Sequence, residues 1–245
     1  MRLIRVGFVL AREGAFALVD PREAPPGMGT LVRIARLFER RGAASNAEGL
    51  VAALTRLGPS YIKLGQFMAT RPDVVGVRVA RDLERLQDRI PPFGRAAAVK
   101  EIEASFGKSL DAIFSDFSEP IAAASIAQVH RARTVTGETV AVKVLRPGVR
   151  TRFRRDLAAM AYAAEVMESL SAEARRLKFV DVVETLKRSV TMEMDLRLEA
   201  AALSEMAENA RDDAEFHVPS VSWDLTARDV VTMEWIDGIP LHDLD

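Results

Sequence analysis

Residues 119–144 read EPIAAASIAQVHRARTVTGETVAVKV, and the fold of the chain turns on them. From Phe117 to Leu145 β-branched residues accumulate, and Thr136-Gly137 sits between two strand-like halves as a hairpin turn does. The second half, Val140-Ala141-Val142-Lys143-Val144, sets a lone lysine in an apolar alternation. Two readings are open there. On the solvent side of an edge strand Lys143 needs no partner, and Val142 and Val144 point inward. On a buried side it needs an anion beside it, because an unpaired ammonium is too costly to desolvate.

Outward from this segment the periodicity becomes helical. Residues 30–41 and 45–57 read as helices, and a longer one is expected over Asp73–Arg89, where Val75, Val79, Leu83, Leu86 and Ile90 form a stripe at 3–4 spacing. Pro91-Pro92 ends it, and a further helix over 95–106 is closed by Gly107. Beyond the hairpin, residues 149–172 and about 179–210 return to helical spacing, and the segment from His217 to Leu241 reads as two more strands. The fold class expected is α+β: an antiparallel sheet with long helices, preceded by an all-helical extension. The divisions expected are 1–29, a basic and apolar segment with a loop; 30–116, the helical extension; 117–236, the sheet-bearing lobe; and 237–245, a connecting segment.

Composition excludes several chemistries. The 245 residues carry 34 Lys+Arg and 35 Asp+Glu, a formal net charge of −1, so no global field favours nucleic acid and none is expected as a partner. With no cysteine there is no disulfide, no thiolate nucleophile and no zinc finger. His130, His217 and His242 are far apart and lack metal-ligand spacing. Residues 1–60 hold nine Arg against five Asp+Glu, with Arg33, Arg36, Arg40 and Arg41 interleaved among Leu31, Ile34, Leu37 and Phe38. That pattern suits an anionic membrane surface, and equally a solvated helix face.

Protein kinases cover the ATP phosphates with a loop of form G-x-G-x-x-G-x-V and pair the α- and β-phosphates with a lysine in a V-A-I-K strand. Here the strand is nearly intact, and aligning the terminal valine on Val129 puts Ala122, Ala124 and Ala127 where the glycines stand. Alanine visits positive φ less cheaply than glycine and its methyl holds the backbone off phosphate oxygens, so a stiffer loop is expected. Lys63-Leu64-Gly65-Gln66 follows Gly58-Pro59, with Lys63 and Gln66 on one helix face at i,i+3 and Gly65 permitting close packing. On the helix expected over 179–210, Val183, Leu186 and Val190 form an apolar stripe whose next position is Glu193, and Lys143 is the cation expected to meet it. Asp195 falls about 200° further round that helix.

With K-x-G-Q at Lys63–Gln66, the alanine-rich loop AAASIAQVH, and Glu193-Met194-Asp195 as E-x-D before RLEAA, the sequence resembles the UbiB/AarF-type (ADCK-like) atypical kinases over about residues 30–245. The resemblance implies a kinase-like small lobe with a helical K-x-G-Q extension, binding ATP or ADP with Mg²⁺. It implies Lys143, Glu193 and Asp195 as catalytic residues, with Asp195 in metal or phosphate contact or interlobe pairing. Ala122, Ala123, Ala124, Ser125, Ile126, Ala127 and Val129 would cover the phosphates. Backbone at Glu234 and Ile236, in the hinge-like MEWIDG, would meet adenine, and Lys63, Gly65 and Gln66 would gate the pocket.

The expected role is support of ubiquinone biosynthesis at the cytoplasmic face of the inner membrane, with nucleotide, membrane lipid or isoprenoid quinone precursors, and quinone-biosynthesis proteins as partners. The Asp and Asn of a kinase catalytic loop and the D-F-G aspartate belong to a large lobe after the hinge and are missing, and His242-Asp243-Leu244-Asp245 does not replace them. Residues 237–245 are therefore expected to start a truncated large lobe, leaving the metal ligands unknown and this chain alone inactive. The competing expectation is a pseudokinase or lipid-binding scaffold.

Overall fold

The computed structural model describes residues 2–18, 28–40, 47–84, 86, 90–213 and 215–238. In chain order the helices and strands are α1 (Arg2–Arg12), α2 (Met28–Arg36), α3 (Ala47–Leu57), α4 (Pro59–Ala69), α5 (Pro72–Val75), α6 (Val77–Leu83), α7 (Arg95–Phe106), β1 (Phe114–Ala123), β2 (Ala127–Thr134), β3 (Thr139–Leu145), α8 (Val149–Leu170), α9 (Ala172–Leu177), α10 (Phe179–Glu193), α11 (Leu196–Asn209) and β4 (Val230–Glu234). They group into two compact units, residues 1–89 with 150–190 and residues 90–149 with 191–245.

The second unit is an antiparallel sheet in the order β1-β2-β3-β4. Gly137, at φ 96°, closes the β2–β3 hairpin where Thr136-Gly137 predicts it. Alternation along β3 buries Val140, Val142 and Val144. They join Phe114, Phe117, Ala132 and Val230 in a core that also takes Ala98 and Ile102 of α7. Gly107, left-handed at φ 67°, caps α7 as expected. Because its apolar stripe is spent on the sheet, α7 belongs with the strands, and the sheet starts at Phe114 and not at Phe117.

His130 lies wholly buried on β2, stacked on Phe117 with ring centroids 4.4 Å apart. Its Nδ1 lies 2.9 Å from Ser118 O and its Nε2 2.8 Å from the Gln128 amide nitrogen. A carbonyl can only accept, so Nδ1 carries the proton and Nε2 accepts from Gln128. Gln128 also donates to Phe93 O (3.2 Å) and accepts from Phe93 N (2.9 Å), so every polar atom of this pair is satisfied. Desolvation holds the His130 pKa below its ordinary 6.5.

The first unit is helical. A Cβ at Gly65 would run into Leu86 Cδ1 and lie 2.8 Å from Leu54 Cδ1, so only glycine lets α4 pack there. Gln66 Nε2 donates to Leu86 O at 3.2 Å, fastening the same contact. A second tight point is Gly58, at φ 100°, where a side chain would strike the Arg152 guanidinium that donates to Leu57 O at 2.8 Å. Around it Asp156, 5% exposed, accepts from Ser60 Oγ at 2.9 Å and pairs with Arg2. Among the described residues no helix is long and apolar enough to cross a membrane.

Four sequence expectations need correction. The helix over Asp73–Arg89 is broken at Gly76, whose φ of 82° ends α5 before α6 begins, and residues 85 and 87–89 lie outside those described. The helix over 179–210 is two helices, since Asp195 at φ −117° and ψ 94° starts α11 afresh. The C-terminal pair of strands is one strand, β4, with a single bridge from Val221 to Met233. Finally β3 is an interior strand, so Lys143 is not on a sheet edge. The connecting segment is described only as far as Gly238.

Two outcomes follow from these contacts. Gly65→Ala should destabilise the chain by about 1–3 kcal/mol through overpacking, despite alanine's better helix propensity, read as a lower urea midpoint. For His130 the native pKa is depressed, so the unfolded chain binds more protons as pH falls through 6.5 and stability is lost on the acid side. His130→Gln should flatten the fall in urea midpoint between pH 7.5 and 5.5, and an unchanged slope would assign that fall to other groups.

Candidate functional site

The hairpin joining β1 to β2 carries the alanine-rich loop. Ala122 pairs with Val129 and Ala123 with Gln128, so the turn itself is Ala124-Ser125-Ile126. Ala124 N donates to Ala127 O at 2.8 Å, and Arg146 N donates to Ile126 O at 2.8 Å. The Arg146 guanidinium reaches back to Ala124 O (3.3 Å) and Pro91 O (3.1 Å) and stacks over Phe93. Lys178 is the one non-glycine residue at positive φ among those described, so the turn follows a path alanine adopts without strain. This is why the glycines can be absent: the loop is pinned by its own carbonyls and by Arg146, and needs no left-handed residue. Ser125 is buried, and its hydroxyl has no hydrogen-bond partner among the described residues.

Lys143 sits on the β3 face opposite Val142 and Val144, across from Val231 of β4. Its Nζ donates to both Glu199 oxygens, each at 2.7 Å. The side chains are 26% and 37% exposed, so the pair is open to solvent on one side. Glu199 is in the first turn of α11, where the helix N-terminus favours an acid. Leu196 and Ala200 turn inward one helical turn apart, and Leu196 N donates to Arg228 O just before β4. Glu199, at i+3 from Leu196, is thereby carried to the lysine.

The carboxylate expected at Lys143 was Glu193, and the correction follows from the break at Asp195. Glu193 is the last residue of α10, half-buried, so the stripe of Val183, Leu186 and Val190 ends there and a new helix sets a new phase. Asp195 is not on a helix face at all. Its carboxylate caps α11 by accepting from Arg197 N (3.3 Å) and takes the Arg197 side chain in two bonds of 2.9 and 2.7 Å. The Arg197 guanidinium holds its pKa below the ordinary carboxylate value. Reading Asp195 as an N-cap, followed by Leu196, Glu199 and Ala200, would have found Glu199 from the sequence.

At the end of β4, Glu234 N donates to Ser220 O (2.8 Å), and its carboxylate accepts from Ser220 N and Oγ and meets His217 Nε2 at 3.1 Å. These contacts, the Ser220 amide first, hold Glu234 below its ordinary pKa. Ile236 is exposed, and its N–H makes no hydrogen bond among the described residues. The sheet unit thus brings together Lys143, Glu199, the alanine-rich turn and the end of β4. Lys63, Gly65 and Gln66 stand on α4 in the helical unit, with Gly65 and Gln66 engaged by Leu86 as described. Among the described residues no three acidic or histidine side chains cluster as a metal site.

The ABC1 atypical kinase-like domain matches residues 85–245. "Probable protein kinase UbiB" of Azotobacter vinelandii is 40% identical over 248 residues, 99% of this chain and 46% of that protein. The protein of the same name from Pseudomonas fluorescens is 44% identical over 201 residues, 82% of this chain and 38% of that one. The chain therefore spans less than half the length of these relatives. A Mycobacterium tuberculosis protein solved as the Rv3197–erythromycin complex is 34% identical with a TM-score of 0.53, covering 74% of this chain and 44% of that one. Lys143 and Glu199 lie within the residues that the family model matches, and the chain belongs to the ABC1 atypical kinase-like family as a UbiB-type member.

Proposed function

We propose that the sheet unit is the nucleotide-binding lobe of an atypical kinase or ATPase that supports ubiquinone biosynthesis. The observation that carries this reading is the Lys143 ammonium held at 2.7 Å by both Glu199 oxygens on the solvent-open face of an interior strand. Such a lysine is oriented but only part-buried, so it can turn its one remaining N–H to a phosphate oxygen. The residues present fit ATP or ADP. Ser125 holds an unspent hydroxyl within the loop, and Ile236 an unspent N–H of the kind adenine needs. Bound nucleotide would supply the phosphoryl group, and Mg²⁺ its charge neutralisation.

Within this reading Lys143 neutralises and orients phosphate, Glu199 positions Lys143, and the turn from Ala122 to Ala127 covers the phosphates through its backbone. Asp195 serves by starting α11 in the phase that delivers Glu199. Substrate selection by Lys63 and Gln66 is part of the proposal on the family resemblance. The ubiquinone role is supported by the name the relatives carry. We assign the protein to the cytoplasmic face of the inner membrane as a peripheral partner of lipid or isoprenoid quinone precursors. The exposed Ile4 and Phe8 among arginines on α1 support that assignment.

Lys143→Ala should weaken ATP binding about 10–100-fold in calorimetric titration, the worth of one charge-assisted hydrogen bond of ~1.5–3 kcal/mol. Glu199→Gln should cost less, because the lysine keeps its charge and loses only its position. Circular dichroism must be unchanged in both. Full ATP affinity in a folded Lys143→Ala variant would remove the central residue and favour the scaffold reading.

A further inference from the structure

The polar groups of the alanine-rich turn are sided, and one residue accounts for it. Arg146 stands one place past the end of β3, three residues after Lys143. Its main-chain N–H donates to Ile126 O at 2.8 Å, and a single terminal nitrogen, Nη2, donates to Ala124 O at 3.3 Å and to Pro91 O at 3.1 Å. The carbonyls on either side of Ser125 are thus both held by Arg146. By contrast, the N–H groups of Ser125 and Ile126 make no hydrogen bond among the described residues, and neither does the Ser125 hydroxyl. Acceptors are spent on the arginine, and three donors are left over.

A planar trans peptide points its C=O and its N–H in opposite directions. Fixing Ala124 O on the guanidinium therefore turns the Ser125 N–H away from it, and keeps that carbonyl from facing an anion. Successive N–H groups in a turn, with a hydroxyl between them, are donors of the kind that hold phosphate oxygens. Ser125 and Ile126 are 1% and 7% exposed, so bulk water reaches little of either residue.

Arg146 is itself braced. Its guanidinium carbon lies 5.2 Å from the Phe93 ring centroid, and Phe93 is gripped through both its N–H and its C=O by the side chain of Gln128. Gln128 in turn donates to His130, and both are wholly buried. The position of the turn is thereby referred to the packed interior of the sheet unit. A lysine at 146 would keep the charge but lose the flat group that stacks on Phe93 and the nitrogen that spans two carbonyls.

We propose that Arg146 is a positioning residue for nucleotide phosphate: by holding the Ala124 and Ile126 carbonyls, it presents the Ser125 and Ile126 N–H groups and the Ser125 hydroxyl to a phosphate oxygen. This rests on the nucleotide reading of the sheet unit and adds to it how the turn is set. β3 then serves the site twice, through Lys143 and through the arginine that follows its last residue.

The test titrates the ¹⁵N-labelled 245-residue chain with ADP and with adenosine, each followed by the amide signals and by the dissociation constant they give. In the wild type, ADP should move the Ser125 and Ile126 amides and adenosine should leave them in place. Arg146→Lys should weaken ADP about 3–10-fold, the worth of roughly one hydrogen bond, and leave adenosine unchanged. Phe93→Leu, which keeps Arg146 and removes only the ring it stacks on, should weaken ADP about 2–5-fold with adenosine again unmoved. Thermal melting checks folding, and the second variant carries the test alone should the first not fold. Undiminished ADP affinity in folded Arg146→Lys would overturn the proposal, since charge alone would then suffice. An equal loss of ADP and adenosine would also overturn it, by marking a general structural role. A wild-type chain that binds neither ligand would instead overturn the nucleotide reading itself.

Discussion

A lysine on the inner strand of a four-stranded sheet must meet a carboxylate or turn fully to water, and here it meets Glu199 without giving up water altogether. Everything near it serves that compromise. Val142 and Val144 anchor β3 in the α7 side of the sheet, which by the two-residue period of a strand leaves Lys143 to the other face. α11 brings one acid to that face, and its start is set by the Asp195 cap and by the bond from Leu196 N to Arg228 O. Shifting the cap by one residue would rotate Glu199 by about 100° away from the lysine.

The alanine-rich turn is held by a different kind of constraint. Its backbone bonds are made within the turn and to Arg146, while Gln128 and His130 lock the strand behind it to Phe93 and Ser118. A glycine-rich loop adapts to the phosphates it covers; this one arrives with backbone groups at Ala124, Ile126 and Ala127 already committed and the Ser125 hydroxyl still unspent. The difference limits how closely backbone can approach a phosphate, and it leaves Lys143 as the part of the site best able to move toward one.

In the helical unit two glycines mark where close approach was needed. Gly65 lets α4 meet Leu54 and Leu86, and Gly58 lets Arg152 reach across to Leu57 O. The second of these seats a buried carboxylate among arginines at the edge of an apolar cavity. Neither the apolar cavity nor the arginine-lined one beside it could be inferred from helix periodicity alone.

The sequence by itself determined the elements governed by local rules. The Thr136-Gly137 hairpin, the Gly107 cap of α7 and the alternation that buries Val142 and Val144 each follow from backbone freedom or a two-residue period. It also singled out Lys143, because a charge in an apolar strand is legible without any partner in view. Only the tertiary structure decided which acid meets it, since two residues at Met194-Asp195 interrupt the helix and reset its phase. It likewise decided that α7 belongs to the sheet, and that Arg2 closes on Asp156 across 154 residues of chain. Periodicity reports which side of an element is buried, but not what buries it, and a contact between distant segments exists only once both have been placed.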